Sequence, residues 1–308
     1  MRTIKMIGLD LDGTLLNREK KLTTYSKEIL KEAICQGMIV LVATGRPLLG
    51  VPDFMREFPG MRYILTANGA RIYDREDGNR LLYENLLSRE DACTVLDVFE
   101  EYDTLKDVYY DGVGYANRLE VEHLERYYED PAMREYIWRT RKRVENVRDK
   151  MKEYSFGLDK IQAVFAKRSE REEAMRRLKE KTDLAVTGAL ANSIEVNARG
   201  VNKGNGLLML GKILGIEKEE IMACGDGLND LAMLRAVGFG VAMANGNEEV
   251  KKYADYVTGS NDEDGVAKAI EKFCIEIREV GTWILLFLLY LALYRALRSG
   301  CRSAAPDI

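Results

Sequence analysis

The feature that most constrains the fold is a recurring one: a short apolar run that stops abruptly in a polar cluster. Ile4-Lys5-Met6-Ile7-Gly8-Leu9 ends in Asp10-Leu11-Asp12-Gly13-Thr14. A helical pattern follows, with Tyr25, Ile29, Leu30, Ala33 and Ile34 on one face and Gly37 as its stop. Met38-Ile39-Val40-Leu41-Val42-Ala43 is a second apolar run, and it ends in Thr44-Gly45-Arg46-Pro47. A strand buried on both faces reads as a continuous apolar stretch, so strand, helix, strand in this form predicts a βαβ unit of a parallel sheet. Tyr63–Thr66 is a third strand, ending at Asn68-Gly69. The pattern resumes with Ser193–Val196, then a helix carrying Leu207, Leu208, Ile213 and Leu214 up to Gly215. Ile221–Cys224 ends in Gly225-Asp226-Gly227-Leu228-Asn229-Asp230, and Phe239–Ala242 is expected to close the sheet.

Between the two stretches the texture is more charged and more aromatic. Ser88 with Asp91, and Ser169 with Glu172, mark helix starts. Val108-Tyr109-Tyr110 and Ile161–Phe165 read as strands. The expected organisation is therefore an α/β doubly wound core (1–82 and 190–274), an inserted α+β domain (83–189) and a C-terminal extension (275–308).

Rare residues narrow the chemistry. The chain has 308 residues and one histidine, His123, so a site built on several histidines is excluded. His123 lies in a charged stretch and reads as a surface residue. Five scattered cysteines without a C-x-x-C pair fit free thiols in a reducing, cytoplasmic setting. Met1–Lys5 leads straight into the first strand and lacks the pattern of a signal peptide. Lys plus Arg is 46 against 50 Asp plus Glu, a net charge of −4, which argues against a nucleic-acid binder. The basic run Arg139–Arg143 is expected to be a solvated helix face. Tyr109, Tyr110, Tyr115, Tyr127 and Tyr128 read first as core packing and second as pocket lining.

What remains is carboxylates, hydroxyls and lysine, in four clusters at strand ends or a helix start, the edge where an open parallel sheet binds ligands. Asp10 and Asp12, at i and i+2, point to one side, and two such charges call for a cation or a shared proton. The cation suited to carboxylate oxygens and phosphate is Mg²⁺. Thr14 can hydrogen-bond the loop. Thr44 and Gly45 offer a hydroxyl and backbone N–H groups to a phosphate. Lys203, at a helix N-terminus, adds a full positive charge where anions are already favoured. Asp226, Asn229 and Asp230 make a second acidic group. Singly, each has an ordinary explanation: a turn with solvated aspartates, a plain loop, a surface lysine. Together, in this order, they point to one phosphate site.

Asp10-Leu11-Asp12-Gly13-Thr14-Leu15, Thr44-Gly45-Arg46, Lys203-Gly204 and Gly225-Asp226-Gly227-Leu228-Asn229-Asp230 resemble the four motifs of the haloacid dehalogenase (HAD) phosphohydrolase superfamily. The insert between the second and third motifs resembles the subgroup with a large α/β cap, the Cof-type phosphatases (type IIB). The resemblance covers the chain from about residue 1 to about residue 274. It implies Mg²⁺-dependent hydrolysis of a small phosphorylated metabolite, a sugar phosphate or phosphorylated cofactor. Asp10 is then the nucleophile, and Asp12 the general acid and base, with a raised pKa beside an ionised Asp10. Asp10, the backbone carbonyl of Asp12, and Asp226 hold the metal. Thr44, the amides of Leu11 and Gly45, Lys203 and Asn229 hold the phosphoryl oxygens. Asp230 supports Lys203 or a metal-bound water, and Arg46 and Asn68 face the substrate. Two other classes fit the same motifs: a phosphotransferase or mutase on sugar phosphates, and a non-catalytic module phosphorylated on Asp10.

The tail stands apart. Residues 280–294 carry no charge, and Arg295 and Arg298 follow. About 15 residues at about 1.5 Å each reach only about 22 Å, short of a hydrocarbon core of about 30 Å. The open readings are self-association or packing on a partner, a helix lying on an anionic membrane surface, and a segment from an altered reading frame.

Overall fold

The first sheet has eight strands in the order β14-β13-β12-β1-β2-β3-β4-β5. They are β1 (Met6–Leu9), β2 (Ile39–Ala43), β3 (Tyr63–Thr66), β4 (Arg71–Asp74), β5 (Arg80–Glu84), β12 (Ile221–Gly225), β13 (Phe239–Ala242) and β14 (Tyr256–Val257). Every pairing from β14 to β3 is parallel, and β4 and β5 add an antiparallel hairpin at the edge. This is the computed structural model of the chain, and it describes residues 3–275 apart from 156 and 189. The expectations for residues 280–294, and for the tail from 276 on, fall outside the described residues. Among the described residues no helix is long and apolar enough to cross a membrane.

The centre of this sheet is buried on both faces, which is why its strands read as uninterrupted apolar runs. Met6, Leu41, Leu65, Leu207, Leu210 and Ala223 form one cluster. The helix Lys203–Leu214 supplies Leu207 and Leu210 to it. Its start is set by Asn202, whose side chain accepts the Asn205 N–H, and its end by Gly215 in the left-handed region (φ 70°).

The second sheet has the order β10-β11-β9-β6-β7-β8. Its strands are β6 (Thr104–Tyr110), β7 (Val113–Asn117), β8 (Arg141–Val144), β9 (Lys160–Phe165), β10 (Ala185–Thr187) and β11 (Ser193–Asn197). All of it lies in sequence between β5 and β12, and β11 carries the inserted layer past the expected bound at 189. Side chains alternate across a strand. Ile161, Ala163, Phe165, Ile194 and Val196 pack on Val95, Phe99, Met151 and Leu178 of the covering helices. Lys160, Gln162 and Glu195 lie on the opposite face and line a cleft shared with the first sheet.

Several expectations are corrected. Ser193–Asn197 does not belong to the parallel sheet: it pairs antiparallel with β9 and β10. The polar residues Ser193, Glu195 and Asn197 alternate with Ile194 and Val196, which is the pattern of an antiparallel strand with two unlike faces. Phe239–Ala242 does not close its sheet, because β14 pairs beyond it. The run Arg139–Arg143 is not one helix face. The helix Pro131–Thr140 stops, β8 begins at Arg141, and the buried Arg141 donates to Asp107 at 2.9 Å. Ser169 does not cap its helix, which starts at Arg168. His123 is exposed, as expected. Cys35, Cys93, Cys224 and Cys274 are free thiols.

Candidate active site

Because β12, β1 and β2 are parallel neighbours, their C-terminal ends form one edge. Asp226 follows β12, Asp10 follows β1 and Thr44 follows β2, so residues far apart in sequence meet there. The Asp10–Thr14 turn needs Gly13. Its φ is 80°, and a Cβ there would stand 2.5 Å from an Asp226 carboxylate oxygen. Thr14 Oγ1 donates to Asp226 Oδ1 at 2.8 Å and fixes that carboxylate against the turn.

Lys203 reaches the same point from the first turn of its helix. Its Nζ donates to Asp10 Oδ1 and to Asp230 Oδ1, each at 2.6 Å, and its side chain is fully buried. The other Asp230 oxygen accepts the backbone N–H groups of Asp226 (3.0 Å) and Gly227 (2.9 Å). Asp230 therefore supports both Lys203 and the turn that carries Asp226.

One carboxylate oxygen from each of Asp10, Asp226 and Asp230 lies within 4.8 Å of the other two. Three negative groups face one ammonium, an excess of two negative charges. The titration behaviour reflects that excess. Burial pushes the Asp10 carboxyl well above its usual range; Lys203 pulls it back, and Asp230 and Asp226 push it further up. Burial and Asp230 raise Asp226 to about 6. Lys203 is raised by the carboxylates of Asp10 and Asp230, against its burial. A divalent cation with oxygen preference matches both the donor set and the missing charge. Asp230 is taken up by Lys203 and two amides, which leaves Asp10 and Asp226 as the carboxylates suited to an ion.

Asp12 is different. Its carboxylate takes two hydrogen bonds from Arg46, Nε to Oδ2 and Nη2 to Oδ1, both 2.7 Å, and one from Lys20 Nζ at 2.8 Å. Burial works to raise its pKa, but Arg46 and Lys20 override that and hold Asp12 well below the usual carboxylate range. The raised pKa expected for Asp12 is not what its surroundings give: with no divalent cation beside Asp10, the proton affinity of Asp12 falls and that of Asp10 rises. Two cations attend Asp12, while Asp10 shares one lysine with other acids. The Asp12 carboxylate stands outside the acid cluster, so a metal-binding role for Asp12 rests on its backbone carbonyl.

A cavity of about 720 Å³ opens over these groups. Asp10, Asp12, Thr44, Gly45, Arg46, Asp226 and Asn229 line one side, and Tyr109, Tyr127, Tyr128, Tyr136, Lys160 and Glu195 the other. Thr44 is buried, and its hydroxyl accepts the Arg46 N–H at 3.2 Å. Leu11 turns its side chain into the core, and its carbonyl accepts from Leu16 N–H at 2.9 Å. Tyr109, Tyr127 and Tyr128 are both buried and cavity-lining, whereas Tyr110 stacks on Tyr154. Asn68, expected to face the substrate, does not line the cavity. It is buried and donates to Glu195 Oε2 at 2.7 Å.

Sequence reasoning missed Lys20, Lys160 and Glu195. Lys160 Nζ donates to Glu195 Oε1 at 2.6 Å and to the Gly45 carbonyl at 2.8 Å, so the second sheet touches the loop expected to bind phosphate. The available signal was the alternation of Lys160 and Gln162 with Ile161 and Ala163 in an otherwise apolar run.

Comparison with known proteins agrees with this geometry. Residues 7–270 match the family of haloacid dehalogenase-like hydrolases. The chain is 32% identical over 272 residues to 5-amino-6-(5-phospho-D-ribitylamino)uracil phosphatase YcsE of Bacillus subtilis (strain 168), covering 88% of this chain and 96% of that one. Two solved structures, each of a haloacid dehalogenase-like hydrolase, share the fold. The one from Bacteroides thetaiotaomicron is 30% identical with a TM-score of 0.71, covering 87% of this chain and 99% of that one. The one from B. subtilis is 29% identical with a TM-score of 0.76, covering 88% and 100%. The chain belongs to the haloacid dehalogenase-like hydrolase family, as an enzyme of the phosphoric monoester hydrolase class.

Proposed function

We propose that the chain hydrolyses small phosphate monoesters with Mg²⁺ through an aspartyl-phosphate on Asp10, the inserted second sheet acting as a cap over the substrate. The observation that carries this reading is Asp10 itself: a buried carboxylate at the end of a central strand, 2.6 Å from a buried lysine and grouped with two more acids. An Asp10 oxygen bonds to phosphorus as the bond to the leaving oxygen breaks, and water then cleaves the aspartyl-phosphate to release inorganic phosphate. Mg²⁺, when bound by Asp10, Asp226 and the Asp12 carbonyl, screens the repulsion between carboxylate and phosphate and polarises a phosphoryl oxygen.

The chain's own residues do the rest. Lys203, Thr44, Asn229 and the amides of Leu11 and Gly45 hold the phosphoryl oxygens, the positioning and charge compensation on which phosphoryl transfer depends. Asp12, ionised at rest, is ready for the second step, in which it takes a proton from the attacking water. In the first step Asp12 takes up a proton from the incoming phosphate monoester monoanion and delivers it to the leaving oxygen, which leaves the carboxyl ionised for the second step. The bound phosphoryl group, itself negative, raises the proton affinity of Asp12 for that purpose. The cavity of about 720 Å³ exceeds what a phosphoryl group needs and leaves room for a sugar or a cofactor fragment. The aminouracil ribityl phosphate named for the B. subtilis relative is the first substrate to assay.

The test is release of inorganic phosphate from a panel of phosphorylated metabolites with Mg²⁺ and no acceptor alcohol. Turnover is expected, and Asp10→Asn should bring it to background. Retained turnover in that variant would remove Asp10 as the nucleophile, and transfer only in the presence of an acceptor would replace hydrolysis by phosphotransfer.

A further inference from the structure

Arg46 is held on every side. Nε and Nη2 go to the two oxygens of Asp12, and Nη1 donates to the Gly50 carbonyl at 2.9 Å. That uses the edge of the guanidinium and leaves its flat face. The face is covered by Tyr136, from the helix Pro131–Thr140 of the inserted layer, with the guanidinium carbon 4.2 Å from the ring centroid. Close seating of Tyr136 depends on Gly50: a Cβ there would come within 2.6 Å of the Tyr136 hydroxyl oxygen. The same ring meets a second guanidinium, Arg141, at 5.3 Å. Arg141 is itself fixed by Asp107 at 2.9 Å and by the Tyr109 hydroxyl at 2.7 Å. Beside this contact, Leu49 N–H donates to the Gly112 carbonyl at 2.9 Å, tying the loop after Arg46 to the turn between β6 and β7.

We infer that Tyr136 is a positioning residue for the reaction: by covering the face of Arg46 it fixes the guanidinium that aligns the Asp12 carboxylate, and so links the seating of the inserted layer to that carboxylate. The physical reason is geometric. A guanidinium that hydrogen-bonds both carboxylate oxygens sets the plane of the carboxylate as well as its distance. A ring with the guanidinium carbon 4.2 Å over its centroid limits how far the guanidinium can tilt, and a partly desolvated cation–π contact adds attraction. A leucine at this position keeps apolar bulk but offers no π face. The inference rests on the proposed role of Asp12, and it predicts an effect on the chemical step, not on substrate capture.

The experiment is a double-mutant cycle with phenyl phosphate, whose poorer leaving group gains from protonation, and Mg²⁺, using wild type, Tyr136→Leu, Tyr136→Phe, Arg46→Met and the double variant Arg46→Met/Tyr136→Leu. Tyr136→Leu is expected to lower kcat by about tenfold with little change in KM. Tyr136→Phe, which keeps the ring, should retain most of the rate. In the Arg46→Met background, Tyr136→Leu should cost nothing further, because its partner is already gone. Multiplicative losses in both backgrounds, a Phe variant as impaired as Leu, or a change carried by KM would each overturn the inference. A second readout needs no turnover. In the wild-type NMR spectrum the Arg46 Nε–H resonance, identified by its loss in Arg46→Met, should carry a ring-current shift that persists in Tyr136→Phe and vanishes in Tyr136→Leu. An unshifted resonance in wild type would refute the contact even if all variants melt alike. Should Asp10→Asn keep full turnover, the phosphatase mechanism fails while this spectral arm still judges the contact.

Discussion

Asp10 and Asp12 leave the same strand end two residues apart, yet their surroundings are opposite. On the Asp10 side, three carboxylates share one buried ammonium, and the proton affinities of Asp10 and Asp226 rise. On the Asp12 side, one carboxylate receives a guanidinium and an ammonium, and its proton affinity falls. The Asp10 side is therefore short of positive charge and the Asp12 side is supplied with it. Pushing two groups apart in this way is how a single site assigns different roles to chemically identical side chains. The lesson is that the i, i+2 spacing brings two carboxylates together but does not make them alike. What distinguishes them is the partner each finds on other segments: Lys203 and Asp226 for one, Arg46 and Lys20 for the other.

The comparison can be broken most severely by removing the missing charge. Chelation with EDTA should bring phosphate release to background, with recovery on adding Mg²⁺; activity that survives chelation would mean the acid cluster functions without a cation. Next in size is Asp12→Asn, expected to lower kcat by about 10²–10⁴-fold while leaving Mg²⁺ affinity, measured by calorimetry, close to wild type. A large loss of Mg²⁺ affinity in that variant would show that the two sides are not separate. The smallest effect concerns pH. Asp226 titrates at about 6 in the metal-free protein, so a proton and Mg²⁺ compete for it as pH falls. From the Asp226 proton alone, Mg²⁺ should bind about fourfold more weakly at about pH 5.5 than at about pH 7.5, and the raised proton affinity of Asp10 adds to that loss. A flat affinity across that interval would detach Asp226 from the ion.

Much of the first sheet was legible because its central strands are buried on both faces and announce themselves as apolar runs. The acids were legible because they stand where those runs stop, and Lys203 because it opens a helix. Elements with two unlike faces were harder to place. β11 is one of these: Ile194 and Val196 suit either sheet, and only the polar residues between them mark a strand with two unlike faces. The hairpin of β4 and β5 was not placed at all, since Arg80–Glu84 is a largely exposed edge without a buried run. Arg141 looked like part of a solvated run because nothing in Arg139–Arg143 reveals that Asp107 waits for it across the sheet. The ion pairs of Asp12 are hidden for the same reason: they are made with Arg46 and Lys20, and neither spacing nor composition says which carboxylate those two will choose.

Gly13 brings out how little room the catalytic floor leaves for variation. With its φ of 80° and an Asp226 oxygen 2.5 Å from where a methyl would sit, the position has neither the conformation nor the space for alanine. A residue that offers no functional group of its own thus governs how near two motifs separated by more than half the chain can come. Adding a single carbon there would press on the Asp226 carboxylate and push the two motifs apart.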